Sequence, residues 1–218
     1  TVRYADGRDT DALYKLWKEC FHDTDAFMAY YFDYYLRDNR ILILEQENQL
    51  KSMIHLNPYT LSVCGKRFNS LYVVGVATDA DFRHRGAMTR LLQRTFSDCY
   101  AGRIPLIYLM PANEAIYTPF QFAYIYSQYV ERKTNTLFSS IHNVDAAIVK
   151  DISAHPVSAE AERQQLADWS NSLLSRHYDV FTWRDAYYFE RLQMENQADG
   201  GDLLLLSANG KQIGYVSY

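Results

Sequence analysis

Between Ser70 and Gly102 the chain changes its hydrophobic period once, and this switch constrains the fold more than any other stretch. Ser70–Thr78 is β-branched and aromatic, which reads as a central strand. Arg83–Gly86 is a polar loop. From Gly86 the period becomes helical, with Met88, Leu91, Leu92, Thr95, Phe96 and Cys99 on one face and Gly102 placed to end the helix. Leu106–Met110 follows as an apolar strand. Strand, loop, helix and strand in this order predict a mixed α/β fold.

The flanking segments extend the pattern. Val2–Ala5 reads as a short strand, and Asp9–Thr10–Asp11 offers N-cap chemistry for a helix carrying Leu13, Leu16, Trp17, Cys20 and Phe21. Asp25–Leu36 is a second helical stretch, rich in Phe and Tyr. Ile41–Glu45 and Leu50–Leu56 read as a hairpin around the polar turn Glu47–Asn48–Gln49, with Gly65–Lys66 marking the next turn. Ala112–Phe120 is a short helical or irregular piece, and Tyr124–Val130 and Thr134–Ser140 read as strands. After a linker at His142–Asn143, a strand over Ala146–Ile152, helices over Ser158–Leu174 and Arg184–Asn196, and a hairpin through Asn209–Gly210 repeat the opening order of strand, two helices and hairpin. The expected organisation is therefore a first domain over 1–141 and an incomplete second one over 142–218. Where the repeat stops, an open strand would stand at an exposed edge, so the sequence reads as a fragment.

With 48% apolar residues, 19 Tyr and 11 Phe, the chain can bury a sizeable core. A net charge of −4 with no basic face argues against nucleic-acid binding. Cys20, Cys64 and Cys99 form no CxxC pair and His22, His142, His155 and His177 show no ligand spacing, so neither a metal nor a disulfide framework is expected. No apolar run reaches the roughly 20 residues of a membrane span, and no signal-peptide pattern opens the chain. These absences predict a cytoplasmic protein.

The chemistry concentrates at the strand–helix junction. Val74–Thr78 leads into Arg83–His84–Arg85–Gly86–Ala87–Met88 and then the amphipathic helix. A helix start presents unpaired N–H groups and partial positive charge, and this makes it a ready site for a phosphate or pyrophosphate. Gly86 removes a Cβ from the approach, and the three basic residues add charge. No GxGxxG or P-loop pattern supports a dinucleotide or ATP instead.

Arg83-x-x-Gly86-x-Met88 resembles the signature Arg/Gln-x-x-Gly-x-Gly/Ala of the GNAT N-acetyltransferases. Val74–Leu92 together with Leu109–Phe122 look like the enhanced-intracellular-survival (Eis-like) branch, with Met88 as a departure where many members carry Gly or Ala. The resemblance implies a GNAT acyl-CoA N-acyltransferase fold, with a sheet splayed to admit pantetheine, followed by part of a second GNAT-like domain. It implies that Val76, Ala77 and Thr78 contact acetyl-CoA, that His84, Arg85, Gly86, Ala87, Met88 and Thr89 hold its pyrophosphate, that Asn113 and Glu114 lie beside the thiol end, and that Tyr117 is the general acid. It also implies a ring-like homo-oligomer.

A tyrosine near pKa ~10 and a thiol near ~8.5 are close enough for Tyr117 to protonate the leaving thiolate, while a backbone N–H near Val76 meets the oxyanion. Local candidates for the base are Asp23, Asp25, His55 and Glu114. The expected activity is transfer of the acetyl group of acetyl-CoA to a primary amine: an aminoglycoside, a polyamine-like molecule, or a lysine or peptide amine. No metal, nucleic acid or membrane takes part. The competing readings are a non-catalytic acyl-CoA-binding module and a structural subunit.

Overall fold

A computed structural model describes residues 1–125 and 152–218. The expected linker at 142–143 and the expected domain boundary after residue 141 lie outside the described residues, as do the strand expected over 134–140 and most of the one expected over 124–130. The chain forms two compact units. The first comprises 1–110, 157–203 and 217–218, and the second 111–156 and 204–216.

In the first unit, β1 (Val2–Tyr4), β2 (Arg40–Gln46), β3 (Gln49–Val63) and β4 (Lys66–Thr78) pair antiparallel in sequence order, and β5 (Leu106–Tyr108) joins β4 in parallel. Two-residue turns set both hairpins. Glu47 and Asn48 have φ of 54° and 59°, and Cys64 and Gly65 have 47° and 78°. Left-handed conformations at both central positions match the twist of the flanking strands. The second turn falls one residue earlier than the sequence suggests.

Helices cover both faces because β2 is apolar at every inner position. Ile41 and Ile43 join Met53 and Ala77 in a cluster with Leu13, Leu16 and Trp17 of α1 (Thr10–Cys20) and Met28, Tyr30 and Tyr31 of α2 (Asp25–Asp33). The alternate Leu42 and Leu44 are equally buried, and α3 (Ala87–Ala101) lies against β2 and β3, with Leu91 and Leu92 fully enclosed. Each such leucine contributes about 1.5–3 kcal/mol. Thr24 caps α2, accepting from the Phe27 N–H at 3.0 Å. Asp9 precedes α1 as expected but makes no side-chain cap. Its carboxylate instead takes the Arg3 guanidinium at 2.7 Å and the Asp6 N–H at 2.9 Å, tying the helix start to β1.

Residues 157–203 carry α5 (Glu160–His177), β7 (Val180–Thr182) and α6 (Ala186–Ala198). Strand β7 pairs antiparallel with the far end of β3, Leu61 to Val63, and the Trp183 N–H donates to the Thr60 carbonyl at 2.8 Å. Three residues give too short a pattern for sequence to register. In the second unit β6 (Ile152–Pro156), β8 (Leu203–Ala208, from Leu204 on) and β9 (Lys211–Ser217, to Val216) form a three-stranded sheet, and Asn209–Gly210 makes the expected left-handed turn. No described helix is long and apolar enough to cross a membrane.

One histidine lies wholly inside the first unit. His55 is 0% exposed, its Nδ1 lies 3.1 Å from the Tyr31 hydroxyl, and its Nε2 has no partner. Burial holds its pKa down to about 3, against the ordinary 6.5. The unfolded chain takes up a proton near pH 6.5 while the folded chain does not. This group's contribution is therefore intact above pH 6.5 and is lost as pH falls toward 3. At about 1.4 kcal/mol per pH unit, moving from pH 7 to 4.5 costs on the order of 2–3 kcal/mol at this site. Urea unfolding at the two pH values should show that loss, and His55→Gln should shrink the difference by a similar amount. An unchanged pH slope in the variant would refute the assignment.

Candidate active site

The site begins with an irregularity in β4. Pairing with β3 runs from Val63 opposite Lys66 to His55 opposite Val74, and resumes with Met53 opposite Ala77. Gly75 and Val76 thus both face Ile54, forming a bulge that bends the strand. Gly75 adopts φ +57°, and a Cβ there would stand 2.3 Å from the indole of Trp17. An isolated glycine in a β-branched run is the signal that sequence offered for this feature and that the motif reading passed over.

On the other edge of β4, β5 pairs only over Ser70–Tyr72. Among the described residues no strand pairs with that edge beyond Tyr72, so the backbone of 73–78 is left open there. Val76, Ala77 and Thr78 lie on this stretch. The Ser52 hydroxyl secures the end of the strand from the β3 side, donating to the Ala77 carbonyl at 2.7 Å and lying 2.8 Å from Thr78 Oγ1.

The next turn is fixed by Asp79. Its carboxylate accepts the Asp81 N–H at 3.0 Å and Lys51 Nζ at 3.1 Å, and these contacts hold it below the usual carboxylate range. Phe82 is buried and anchors the loop, while Arg83, His84, Arg85 and Gly86 stay exposed. Arg83 Nε reaches the Thr78 carbonyl at 3.3 Å, bringing the loop back to the strand end. His84 and Gly86 adopt φ of +60° and +73°. Gly86 then opens α3 without a side-chain cap, and the first intrahelical bond runs from Arg90 N–H to the Gly86 carbonyl at 3.1 Å. The N–H groups of Ala87, Met88 and Thr89 precede that bond and have no intrahelical partner. No acid lies in the first turn. The geometry is that of an anion cradle: unpaired N–H donors at a helix start, Arg83 and Arg85 in the loop that precedes it, and nothing within 4 Å of where a Gly86 Cβ would stand.

Asn113, Glu114 and Tyr117 lie together in the second unit. Asn113 Oδ1 caps the one-turn helix α4 (Glu114–Tyr117), accepting the Ala115 N–H at 3.0 Å. The half-buried Tyr117 ring meets Phe122 edge-on, with centroids 5.8 Å apart.

Of the four candidate bases, Glu114 is exposed in the first turn of α4. His55 is withdrawn, because a fully enclosed imidazole reaches no acceptor. Asp23 accepts the Trp17 indole N–H at 2.7 Å, and the exposed Asp25 is held below its ordinary pKa by Lys18 at 2.7 Å.

The acetyltransferase (GNAT) domain family matches residues 1–125. No curated protein matches the chain. A conserved protein of unknown function from Enterococcus faecalis V583 superposes with a TM-score of 0.73 at 16% identity, over 99% of this chain and 54% of its own. The chain thus spans about half of that protein. A predicted acetyltransferase from Clostridium acetobutylicum, solved with acetyl-CoA, gives a TM-score of 0.52 at 19% identity, over 64% of this chain and 97% of its own. A ribosomal-protein-alanine N-acetyltransferase from Brucella melitensis gives 0.51 at 15%, over 62% and 99%. At these identities the likeness is one of fold.

Proposed function

The chain belongs to the acetyltransferase (GNAT) domain family, and on that premise we propose that it transfers the acetyl group of acetyl-CoA to a primary amine. The observation that carries this reading is the open edge of β4 running into the acid-free N-terminus of α3. The N–H groups of Ala87, Met88 and Thr89, with His84, Arg85 and Gly86, receive the pyrophosphate. The backbone of Val76, Ala77 and Thr78 lines the pantetheine arm, and Asn113 and Glu114 serve its thiol end.

In the reaction the amine nitrogen forms a bond to the acetyl carbon. A backbone N–H at the Val76 bulge stabilises the oxyanion. The carbon–sulfur bond breaks, Tyr117 gives its proton to the thiolate, and the amine proton leaves to water or a carboxylate. The acceptor is an aminoglycoside, a polyamine-like molecule, or a lysine or peptide amine, with the Eis-like branch favouring the first and third. In chain order β6, α5, α6, β8 and β9, with β7 between the two helices, repeat β1, α1, α2, β2 and β3, which supports residues 142–218 as part of a second GNAT-like domain. A cytoplasmic homo-oligomer completes the proposal.

Calorimetry with acetyl-CoA and turnover on an amine panel test it. Tyr117→Phe should leave cofactor affinity unchanged and lower kcat by about 10²–10⁴-fold. Cofactor binding without turnover by the wild type points to an acyl-CoA-binding module, and no binding by the folded chain points to a structural subunit.

A further inference from the structure

A second cavity, of about 590 Å³, lies in the first unit at the opposite end of β4. Its walls include Leu56 and Tyr59 of β3, Asn69 and Leu71 of β4, and Trp183 and Arg191 from the segment carrying β7 and α6. Leu71 stands seven residues before Thr78, roughly 23 Å along an extended strand. The cavity is therefore separate from the cradle at Gly86.

Arg191 is the anomaly in this wall. It is only 6% exposed, yet no carboxylate lies within ion-pair distance and its side chain donates no hydrogen bond among the described residues. Its Nε is shut away from solvent without a partner. Three tyrosine rings enclose the guanidinium: Tyr35 at 4.5 Å, Tyr187 at 5.1 Å and Tyr59 at 5.0 Å from ring centroid to its central carbon. The hydroxyls of Tyr35 and Tyr59 bond to each other at 2.7 Å, and that of Tyr187 donates to Asp38. Ring faces offset part of the cost of burying a cation, but they supply no acceptors for its N–H donors, and a buried charge without hydrogen bonds is expensive. The planar guanidinium fork is suited to a carboxylate or phosphate group.

The rest of the lining decides between these anions. Arg191 and Arg40 contribute two positive charges, and Asp38 and Asp185 two negative ones. These four charges sum to zero, so a monoanion leaves less unbalanced charge in the cavity than a dianion does. The remaining wall combines apolar and aromatic groups, Leu56, Tyr59, Leu71, Ile104 and Trp183 among them, with the polar Thr60, Asn69 and Ser70. We propose that this cavity is a binding site for a small organic carboxylate with a flat apolar body, whose carboxylate pairs with Arg191.

The test uses calorimetry on the full chain, with benzoate as the probe, benzamide as its neutral counterpart and inorganic phosphate as the dianion. Benzoate should bind saturably, at least tenfold more tightly than either comparator. Arg191→Met, which replaces an unpaired buried charge by an apolar chain, should abolish benzoate binding while acetyl-CoA binding at the cradle is retained. Asn69→Glu adds a negative charge at an exposed position of the wall and should weaken benzoate at least fivefold, which keeps the test decisive if Arg191→Met does not fold. Absence of saturable benzoate binding, equal binding of benzamide or phosphate, or benzoate binding that survives both substitutions overturns the proposal. Because acetyl-CoA is titrated separately, failure of this site and failure of the acetyltransferase reading are read independently.

Discussion

Gly75→Ala should destabilise the protein by about 2–4 kcal/mol, a large effect for the addition of one methyl group. Two costs add. The new Cβ would stand 2.3 Å from one indole carbon of Trp17 and 3.0 and 3.1 Å from two others, and overpacking of this kind costs about 1–3 kcal/mol. Alanine at φ +57° adds about 1 kcal/mol more. The indole has nowhere to go. It is 3% exposed, its N–H is held by Asp23, and it packs against Tyr31 at 4.6 Å, Phe21 at 4.9 Å and His55 at 5.0 Å. The strand must move instead, and the moving segment is the bulge that presents Val76. Loss of stability and loss of acetyl-CoA affinity should therefore appear together in chemical unfolding and calorimetry. Trp17→Leu is itself destabilising but clears the space, so the double variant should be more stable than the sum of the two single effects predicts. An alanine variant as stable as the wild type refutes this packing.

The same glycine shows what the sequence discloses and what it withholds. The run Val73–Val74–Gly75–Val76 identifies a strand by composition, but nothing in it says that the partner of the missing Cβ is Trp17, nearly sixty residues earlier. The strand-to-helix switch at Gly86, the glycine end of α3 and the Asn209–Gly210 turn were legible because each is fixed by neighbours in sequence. The left-handed residues at Glu47 and Asn48 were legible only as a turn. Strand β7 was not legible, since three residues carry no period and its pairing with Leu61–Val63 is tertiary. His55 is an intermediate case. It stood among the candidate bases, although a histidine on a strand is more often structural, and its complete enclosure beside Tyr31 favours the structural reading. Arg191 is invisible for the same reason. Its segment reads only as a helix, and the missing counter-charge exists only in three dimensions. What neighbours in sequence fix is legible in the sequence, and what depends on which surfaces meet is not.

Gly86→Asp should separate binding from folding at that junction. Glycine stands at the N-cap of α3 with φ +73°, in open space. An aspartate there meets two opposing local effects. Its carboxylate is a good partner for the unpaired N–H groups of the first turn, which favours the helix over glycine by a few tenths of a kcal/mol, while the left-handed backbone disfavours it by about 1 kcal/mol. Stability should therefore change by less than about 1 kcal/mol. Acetyl-CoA should fare differently, because the new carboxylate competes for the same N–H donors and sets a negative charge where the pyrophosphate is to lie, between Arg83, His84 and Arg85. Affinity should fall by at least about 100-fold, equivalent to about 2.7 kcal/mol. Gly86→Ala is the control for shape and strain without charge, and its loss should stay near tenfold. An aspartate variant that unfolds like the wild type and still binds acetyl-CoA with wild-type affinity places the pyrophosphate elsewhere. Equal losses for alanine and aspartate mean that backbone conformation, rather than the anion-attracting field of the helix start, makes Gly86 necessary.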